Sequence, residues 1–413
     1  MEIKIQSIKN IELKGKKILF RPDINSPIDP VTKKIVSSNR IQKMAPTLKY
    51  LLDNGAAVTL IAHQGDTLDY QNLISMQEHS QKMSEYTGYP IRYIDDVCGD
   101  AAIEAIKNLK SGECVFLGNL RYLTEEVSTF EKDVKLTPEE MKDTYLIRRL
   151  APLFDLYVND AFSAAHRNCP SMTGFQQVLP SAAGFQFFDE YAALSAVRDN
   201  AAHPAVFVLG GAKISDAFGM METVLRNGTA DKILTTGITG TIMLIAAGVD
   251  VGSKILQFLK DRDLLVFVDA AKNYLNEFPG RIEMPMDVAV KDVDVRKDIP
   301  VSQMPLDTLN FDIGKGTVEK YAAILKSAGT IFANGPAGVY EDPLFTYGTK
   351  GVWQAIADSQ AFSVIGGGDT VNSASQFIDI NKISYVCTAG GAMIRFLSGK
   401  KLPLVDAMEK ANK

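Results

Sequence analysis

Phe362-Ser363-Val364-Ile365-Gly366-Gly367-Gly368-Asp369-Thr370-Val371-Asn372 breaks a short apolar run with three glycines, then opens a helical pattern with an acid and a hydroxyl. The spacing predicts a strand, a tight turn and a helix N-terminus. Glycines leave no Cβ over the turn, so backbone N–H groups can approach a phosphate closely where the helix dipole favours an anion. Asp369 would repel a bare phosphate. A divalent cation between them removes the conflict, because magnesium is typically held by one or two carboxylates and phosphate oxygens. Standing alone, the residues fit a tight turn with an Asp N-cap equally well.

The same pattern recurs outward from this stretch. Leu209-Gly210-Gly211-Ala212-Lys213-Ile214-Ser215-Asp216 repeats it, Asn334-Gly335-Pro336-Ala337-Gly338-Val339-Tyr340-Glu341 follows a further apolar run, and Thr388-Ala389-Gly390-Gly391-Ala392 another. Several glycine turns at one edge of one sheet point to a nucleotide site. Lys213 is a mobile point charge well placed to reach phosphoryl oxygens; as an ordinary first-turn lysine it is poorly matched to the positive end of a helix. No Gly-x-x-x-x-Gly-Lys-Ser/Thr pattern occurs, nor a Gly-x-Gly-x-x-Gly after the first strand, so neither a P-loop enzyme nor a standard dinucleotide dehydrogenase fits.

Short β-rich runs at residues 17–20, 57–62, 91–94, 114–117 and 156–158 form one series, and runs at 205–209, 233–236, 264–268, 330–333, 363–365 and 383–387 form a second. Each precedes a turn and a longer segment of helical spacing, which implies mostly parallel sheets covered on both faces. The expected fold class is α/β, with two doubly wound parallel-sheet (Rossmann-like) domains joined by an interdomain helix. Residues 1–183 make the N-terminal domain, 184–200 a hinge helix, and 201–413 the C-terminal domain, with the extreme C-terminus packing back on the N-terminal domain.

The chain's 413 residues, 46% of them hydrophobic, suit two or three globular domains. A net charge of -5 argues against nucleic acid or an anionic membrane as a bulk partner, so any anion site must be made locally. Cys98, Cys114, Cys169 and Cys387 show no paired spacing, which favours a reducing compartment. Residues 1–10 carry no hydrophobic signal core and no long apolar segment follows, so the expected location is cytoplasmic.

The first series carries its polar residues after its strands: Arg21-Pro22-Asp23-Ile24-Asn25-Ser26-Pro27, His63-Gln64-Gly65-Asp66, Asn119-Leu120-Arg121-Tyr122, and Asn159-Asp160-Ala161-Phe162 leading to His166-Arg167. Arg40 stands just before the helical run 41–52. Ligands of open parallel sheets bind outside the carboxyl ends of the strands, where these arginines and His63 would make a compact anion site. Taken singly, each arginine also fits a solvated surface charge, Asp23 and Asn25 fit turn caps, and His63 a hydrogen-bonded core histidine.

This ordered set, together with Arg40, Val158 to Phe162, Gly210 to Lys213, Asn334 to Pro336, Gly338-Val339 and Gly366 to Thr370, closely resembles the phosphoglycerate kinase family from about Lys17 to Ala392. The His63-Gln64-Gly65 form and the sequence around Thr236 resemble its archaeal branch. The resemblance implies reversible phosphoryl transfer between 1,3-bisphosphoglycerate with ADP and 3-phosphoglycerate with ATP, in a monomer or weak homodimer with no nucleic-acid or membrane partner. It implies that Asp23, Asn25, Arg40, His63, Gln64, Gly65, Asp66, Arg121 and Arg167 bind 3-phosphoglycerate. Gly211, Ala212, Lys213, Gly237, Asn334, Glu341, Gly366, Gly367, Gly368, Asp369 and Thr370 would bind the nucleotide, with Glu341 on the ribose and Asp369 near Mg2+. Similar enzymes act after their two domains close about the interdomain helix. The acceptor is a carboxylate already ionised at neutral pH, so no general base is needed; Arg40 and Lys213, with magnesium, would neutralise the transferring group.

The chain departs from the family pattern at four places. Asp66 stands where many relatives have arginine, Cys169 where many have a second histidine, Ala217 where many have a second lysine, and Ala389 in place of a first glycine. A kinase acting on another small phosphorylated carboxylic acid is therefore a competing expectation, as is a non-catalytic nucleotide-binding protein on the same scaffold. Retention of Lys213 and Asp369 argues against the latter.

Overall fold

The computed structural model describes residues 4–66, 71 and 73–411, so the first three and last two residues of the expected domains lie outside the described part. Among the described residues the chain divides into two compact units: one is Ala193–Lys400, and the other is residues 4–192 together with residues 401–411. The expected interdomain segment is the helix Phe185–Asp199.

The first unit holds six parallel strands: β1 (Lys17–Pro22), β2 (Ala57–Leu60), β3 (Ile91–Tyr93), β4 (Cys114–Phe116), β5 (Leu156–Asp160) and β6 (Ser181–Ala183), in the order β3-β4-β2-β1-β5-β6. Ile18, Phe20, Val58, Leu60, Leu156 and Val158 join one core, while Leu19, Ala57, Val115 and Tyr157 join another. Alternate side chains point to opposite faces, and both faces are covered, so the strands read as continuous apolar runs. β1 lies between β2 and β5, which makes its carboxyl end a topological switch point. The helix Pro403–Lys410 belongs to this unit: Leu404 N donates to Ala165 O (3.2 Å) and Tyr191 Oη to Glu409 Oε1 (2.7 Å).

Asp160, at the end of β5, is fully buried. It accepts from Thr47 Oγ1 (2.7 Å) and from Phe187 N (2.7 Å), capping the first turn of the helix Phe185–Asp199. Burial pushes its carboxyl up to about 7, against the pull of those hydrogen bonds. The native carboxyl thus holds its proton more tightly than the unfolded chain's, so its contribution to stability is full below pH about 4 and is lost as pH rises through about 7. We expect Asp160→Asn to flatten the decline in urea midpoint between pH 5 and 8. A decline of unchanged size in the variant would remove Asp160 as its source.

The second unit holds another parallel sheet, formed by β7 (Ala205–Leu209), β8 (Lys232–Thr235), β9 (Ile282–Glu283), β13 (Thr330–Asn334), β14 (Phe362–Gly366) and β15 (Tyr385–Cys387), in the order β15-β14-β13-β7-β8-β9. Here β7, between β13 and β8, marks the switch point. A separate antiparallel sheet, order β11-β10-β12, comprises β10 (Asp287–Asp292), β11 (Val295–Pro300) and β12 (Asn310–Ile313).

This antiparallel sheet was not expected from the sequence. Its hairpin is half polar, with Lys291, Asp292, Lys297 and Asp298 exposed, and its apolar stretch is only Val288-Ala289-Val290. The strand expected at residues 264–268 is instead the 3-10 turn Leu265–Phe267 leading into the helix Val268–Glu277. A five-residue apolar run fits either element, and here Val266 is 71% exposed while Phe267 packs on Phe218, with ring centroids 5.0 Å apart. The short strands β6 and β9 also went unread.

Candidate active site

In the second unit, the glycine turns are tied together by their own backbones. Gly210 N donates to Asn334 O (2.9 Å), Gly211 N to Pro336 O (2.8 Å), and Gly237 N to Ala337 O (3.0 Å). Asn334 Nδ2 donates to Gly366 O (2.6 Å) and Gly335 N to Thr370 Oγ1 (2.8 Å). The turns after β7, β8, β13 and β14 therefore form one hydrogen-bonded rim at the strands' carboxyl ends. Asn334 and Thr370 hold that rim together, and the N–H groups of Gly211 and Gly237 are committed to it.

The central triplet divides its work. Gly367 has φ +101°, a conformation that L side chains rarely adopt; a Cβ on Gly366 would collide with Met393 and Cys387; Gly368 faces open space and begins the helix Gly368–Phe377. Asp369 sits exposed in that helix's first turn. Lys213 caps the helix Ile214–Arg226, is exposed, and makes no ion pair among the described residues. Beside the rim is a cavity of about 320 Å³, lined by Gly211, Ala212, Gly237, Glu341 and Asp369, with apolar walls that include Ile238, Ile255, Phe258, Leu309, Phe311 and Val339. The antiparallel sheet supplies one wall through Val288 and Asn310 to Ile313, with Leu309 just ahead of its last strand. No glycine signal marked those wall residues, so sequence reasoning missed them.

In the first unit, the switch point gathers the expected polar residues. Arg21 is 2% exposed and donates from Nη2 to His63 Nδ1 (2.8 Å). Burial, followed by the charges of Arg21, Arg121, Arg167 and Arg40, drives the His63 pKa well below its usual value. An arginine only donates, so His63 is neutral and carries its proton on Nε2. Arg40 lies in the first turn of the helix Asn39–Asp53 rather than ahead of it, and pairs with Asp23 at 3.5 Å; Ser163 Oγ also donates to Asp23 (2.5 Å). Arg167 pairs with Glu131 at 2.6 Å. Arg21 Nε, Arg121 Nε and Arg167 Nη2 are buried with no acceptor among the described residues. Donors left unpaired at such burial are costly unless an anion meets them.

Gln64 serves the scaffold. Its amide bonds Ser26 N and Ser26 O (both 2.9 Å) and meets His79 Nε2 (2.8 Å), while Asn25 Oδ1 accepts from Gly65 N (3.1 Å). Asp66 is exposed at the edge of this group. Sequence reasoning missed Glu126, Glu131 and Ser163, because nothing in an isolated acid or serine signals burial beside arginines. Glu126 is 1% exposed; its carboxylate accepts from Ser171 N (2.6 Å) and Ser171 Oγ (2.7 Å), and its backbone oxygen accepts from Arg121. Burial raises its pKa against the opposing pull of Ser171, Arg121 and Arg21. Cys169 is buried against Glu126, Sγ to Oε2 3.5 Å. Ala217 is buried in its helix.

The sequence profile described as phosphoglycerate kinase matches residues 8–400. The chain belongs to the phosphoglycerate kinase family. It is 39% identical over 411 residues to the phosphoglycerate kinase of Methanothermobacter thermautotrophicus, covering 100% of this chain and 98% of that one. The kinase of Thermococcus onnurineus is 41% identical over 404 residues, covering 95% and 94% of the two chains. The crystal structure of the Pyrococcus horikoshii OT3 kinase superposes with a TM-score of 0.84 at 37% identity, covering 98% of this chain and 99% of the other. This kinase is a phosphotransferase with a carboxyl acceptor, and its reaction is the glycolytic exchange between 1,3-bisphosphoglycerate with ADP and 3-phosphoglycerate with ATP. No helix among the described residues is long and apolar enough to cross a membrane.

Proposed function

We propose that the first unit binds 3-phosphoglycerate on the arginine cluster and that the second binds MgATP in the cavity beside the glycine rim. The observation that carries the first half is the set of buried guanidinium donors on Arg21, Arg121 and Arg167 without acceptors among the described residues. Asp23, Asn25, Arg40, His63, Arg121 and Arg167 contact the substrate, with Gln64 and Gly65 positioning the loop and Asp66 at its edge. In the second unit, apolar walls take the base, Glu341 the ribose, and Gly211 to Lys213, Gly237, Asn334 and Gly366 to Thr370 surround the phosphates.

Among the described residues, no group of three or more acids, histidines or cysteines could hold a metal by itself. Asp369, an exposed carboxylate on the cavity wall at the glycine turn, instead fits a magnesium ion shared with phosphate oxygens, which would supply neutralisation of phosphate charge. Arg40 and Lys213 neutralise charge on the transferring phosphoryl group, and the ionised acceptor needs no base. All four cysteines are buried and free, in keeping with a cytoplasmic setting.

The test is ADP release from MgATP with and without 3-phosphoglycerate, with a coupling enzyme removing the acyl phosphate. Strong dependence on 3-phosphoglycerate supports the reading; ATP binding without that dependence would favour another acceptor. Asp66→Arg is expected to lower the KM for 3-phosphoglycerate about threefold at low salt, with the gain fading as ionic strength rises. An unchanged KM would put position 66 outside the effective patch.

A further inference from the structure

The cavity assigned to the nucleotide is apolar over most of its wall, so the few polar side chains there decide which base it accepts. Tyr340 Oη accepts from Asn372 Nδ2 (3.2 Å). The Asp312 carboxylate takes Arg296 Nη1 (2.7 Å), Gly348 N (2.7 Å) and Ile313 N (2.9 Å). Glu341 and Asp369 are exposed anions, suited to a ribose and to a metal-bound phosphate. That leaves Thr241 and Asn310, which line the wall together.

These two form a short relay. Thr241 Oγ1 donates to Gly237 O (3.2 Å), and Asn310 Nδ2 donates to Thr241 Oγ1 (3.2 Å). A threonine hydroxyl has one proton; once that proton goes to Gly237 O, the oxygen must accept, which turns the amide's NH2 group toward Thr241. The network therefore fixes the amide orientation and, among the described residues, leaves Oδ1 as an acceptor without a protein donor, on a wall that includes Leu309, Phe311 and Ile238.

We infer that the Asn310 amide, oriented by Thr241, reads the 6-position of the purine base and makes the enzyme selective for 6-amino over 6-oxo nucleotides. A 6-amino group donates to Oδ1. A 6-oxo group sets two acceptors against each other, and a bare C–H leaves Oδ1 unmatched. Sites built around one polar partner discriminate more sharply than apolar pockets, because the wrong ligand strands a desolvated group. The inference rests on the nucleotide occupying this cavity.

The test compares kcat/KM for ATP, GTP and purine riboside 5′-triphosphate, which differs from ATP by loss of the 6-amino group, at saturating 3-phosphoglycerate. The native enzyme should prefer ATP to the purine riboside nucleotide about tenfold, the worth of one good hydrogen bond, and to GTP by more. Asn310→Ala should reduce the first ratio to about twofold, through loss on ATP and relief of the stranded acceptor with the purine riboside nucleotide. Thr241→Val, which keeps the β-branched shape but frees the amide to turn, should narrow the ATP-to-GTP ratio without altering the KM for 3-phosphoglycerate. An undiminished ATP preference in Asn310→Ala would overturn the inference. Ile238→Trp separates the two levels of the argument: filling the cavity should raise KM for every nucleotide. If it does so while Asn310→Ala keeps its preference, base reading fails alone; if nucleotide KM is unmoved, both the cavity assignment and the inference fall.

Discussion

Lys213→Ala is expected to lower kcat about a thousandfold while moving the KM for MgATP less than about threefold, a loss of roughly 4 kcal/mol confined to the transition state. The ground-state nucleotide has many other contacts in its proposed site: the apolar cavity, Glu341, and the glycine rim. The charge that grows on the equatorial oxygens during transfer has few partners, and an exposed ammonium with no ion pair among the described residues, at the start of the helix Ile214–Arg226, is free to meet it. Preorganised donors aimed at developing charge contribute on the order of 10² to 10³ in rate, and cations in phosphoryl transfer more. Lys213→Arg should recover only part of the loss, because a planar fork does not replace a compact point charge. Since the residue is exposed and its side chain makes no capping hydrogen bond, the variant should match the native protein's stability to within about 0.5 kcal/mol. Steady-state kinetics with equilibrium ATP binding decide the matter: a near-native kcat removes Lys213 from the mechanism, and a KM rise equal to the whole kcat/KM loss makes it a binding group.

The sequence shows this lysine because its signals are local. A buried parallel strand followed by glycines leaves a print in consecutive residues, so the two series of apolar runs place both parallel sheets, and the polar residues after them mark the strand ends. Gly367 is legible for the same reason: its turn needs φ +101°. Long-range features leave no such print. Glu126 looks like any acid of a charged surface turn until the fold buries it beside Arg121, 1% exposed. Gln64 looks like a ligand group, and only the positions of Ser26 and His79 show that its amide is committed. The antiparallel strands β10 to β12 are half exposed and short, yet β10 and β12 line the cavity wall that carries Asn310. Residues 264–268 mislead in the opposite direction, since an apolar run of that length fits a strand or a helix start and tertiary packing decides between them.

The glycines of the rim allow structure and binding to be separated. Gly335 has φ +92°, and a Cβ there would collide with the Gly210 carbonyl and lie 2.7 Å from Gly211 N. Neither neighbour can withdraw, because Gly210 N is bonded to Asn334 O and Gly211 N to Pro336 O. Gly335→Ala should therefore destabilise the second unit by about 3 kcal/mol, combining backbone strain with a forced shift of both turns. It should also raise the KM for MgATP more than about tenfold, as the Gly335 N to Thr370 bond is lost. Gly368→Ala is the counterpart. A Cβ there meets nothing within 4 Å and the position is helical, so alanine should leave stability unchanged or raise it by up to about 1 kcal/mol. If a phosphate approaches the bare backbone at this turn, that methyl group stands in its path, and nucleotide KM rises in a protein that is no less stable. Denaturant unfolding and ATP kinetics on the two variants therefore give a crossed result: stability and affinity lost together at Gly335, affinity alone at Gly368. An unchanged KM in Gly368→Ala would mean that no phosphate comes to the triplet, leaving Gly366 to Asp369 as the capped tight turn that their sequence also allows.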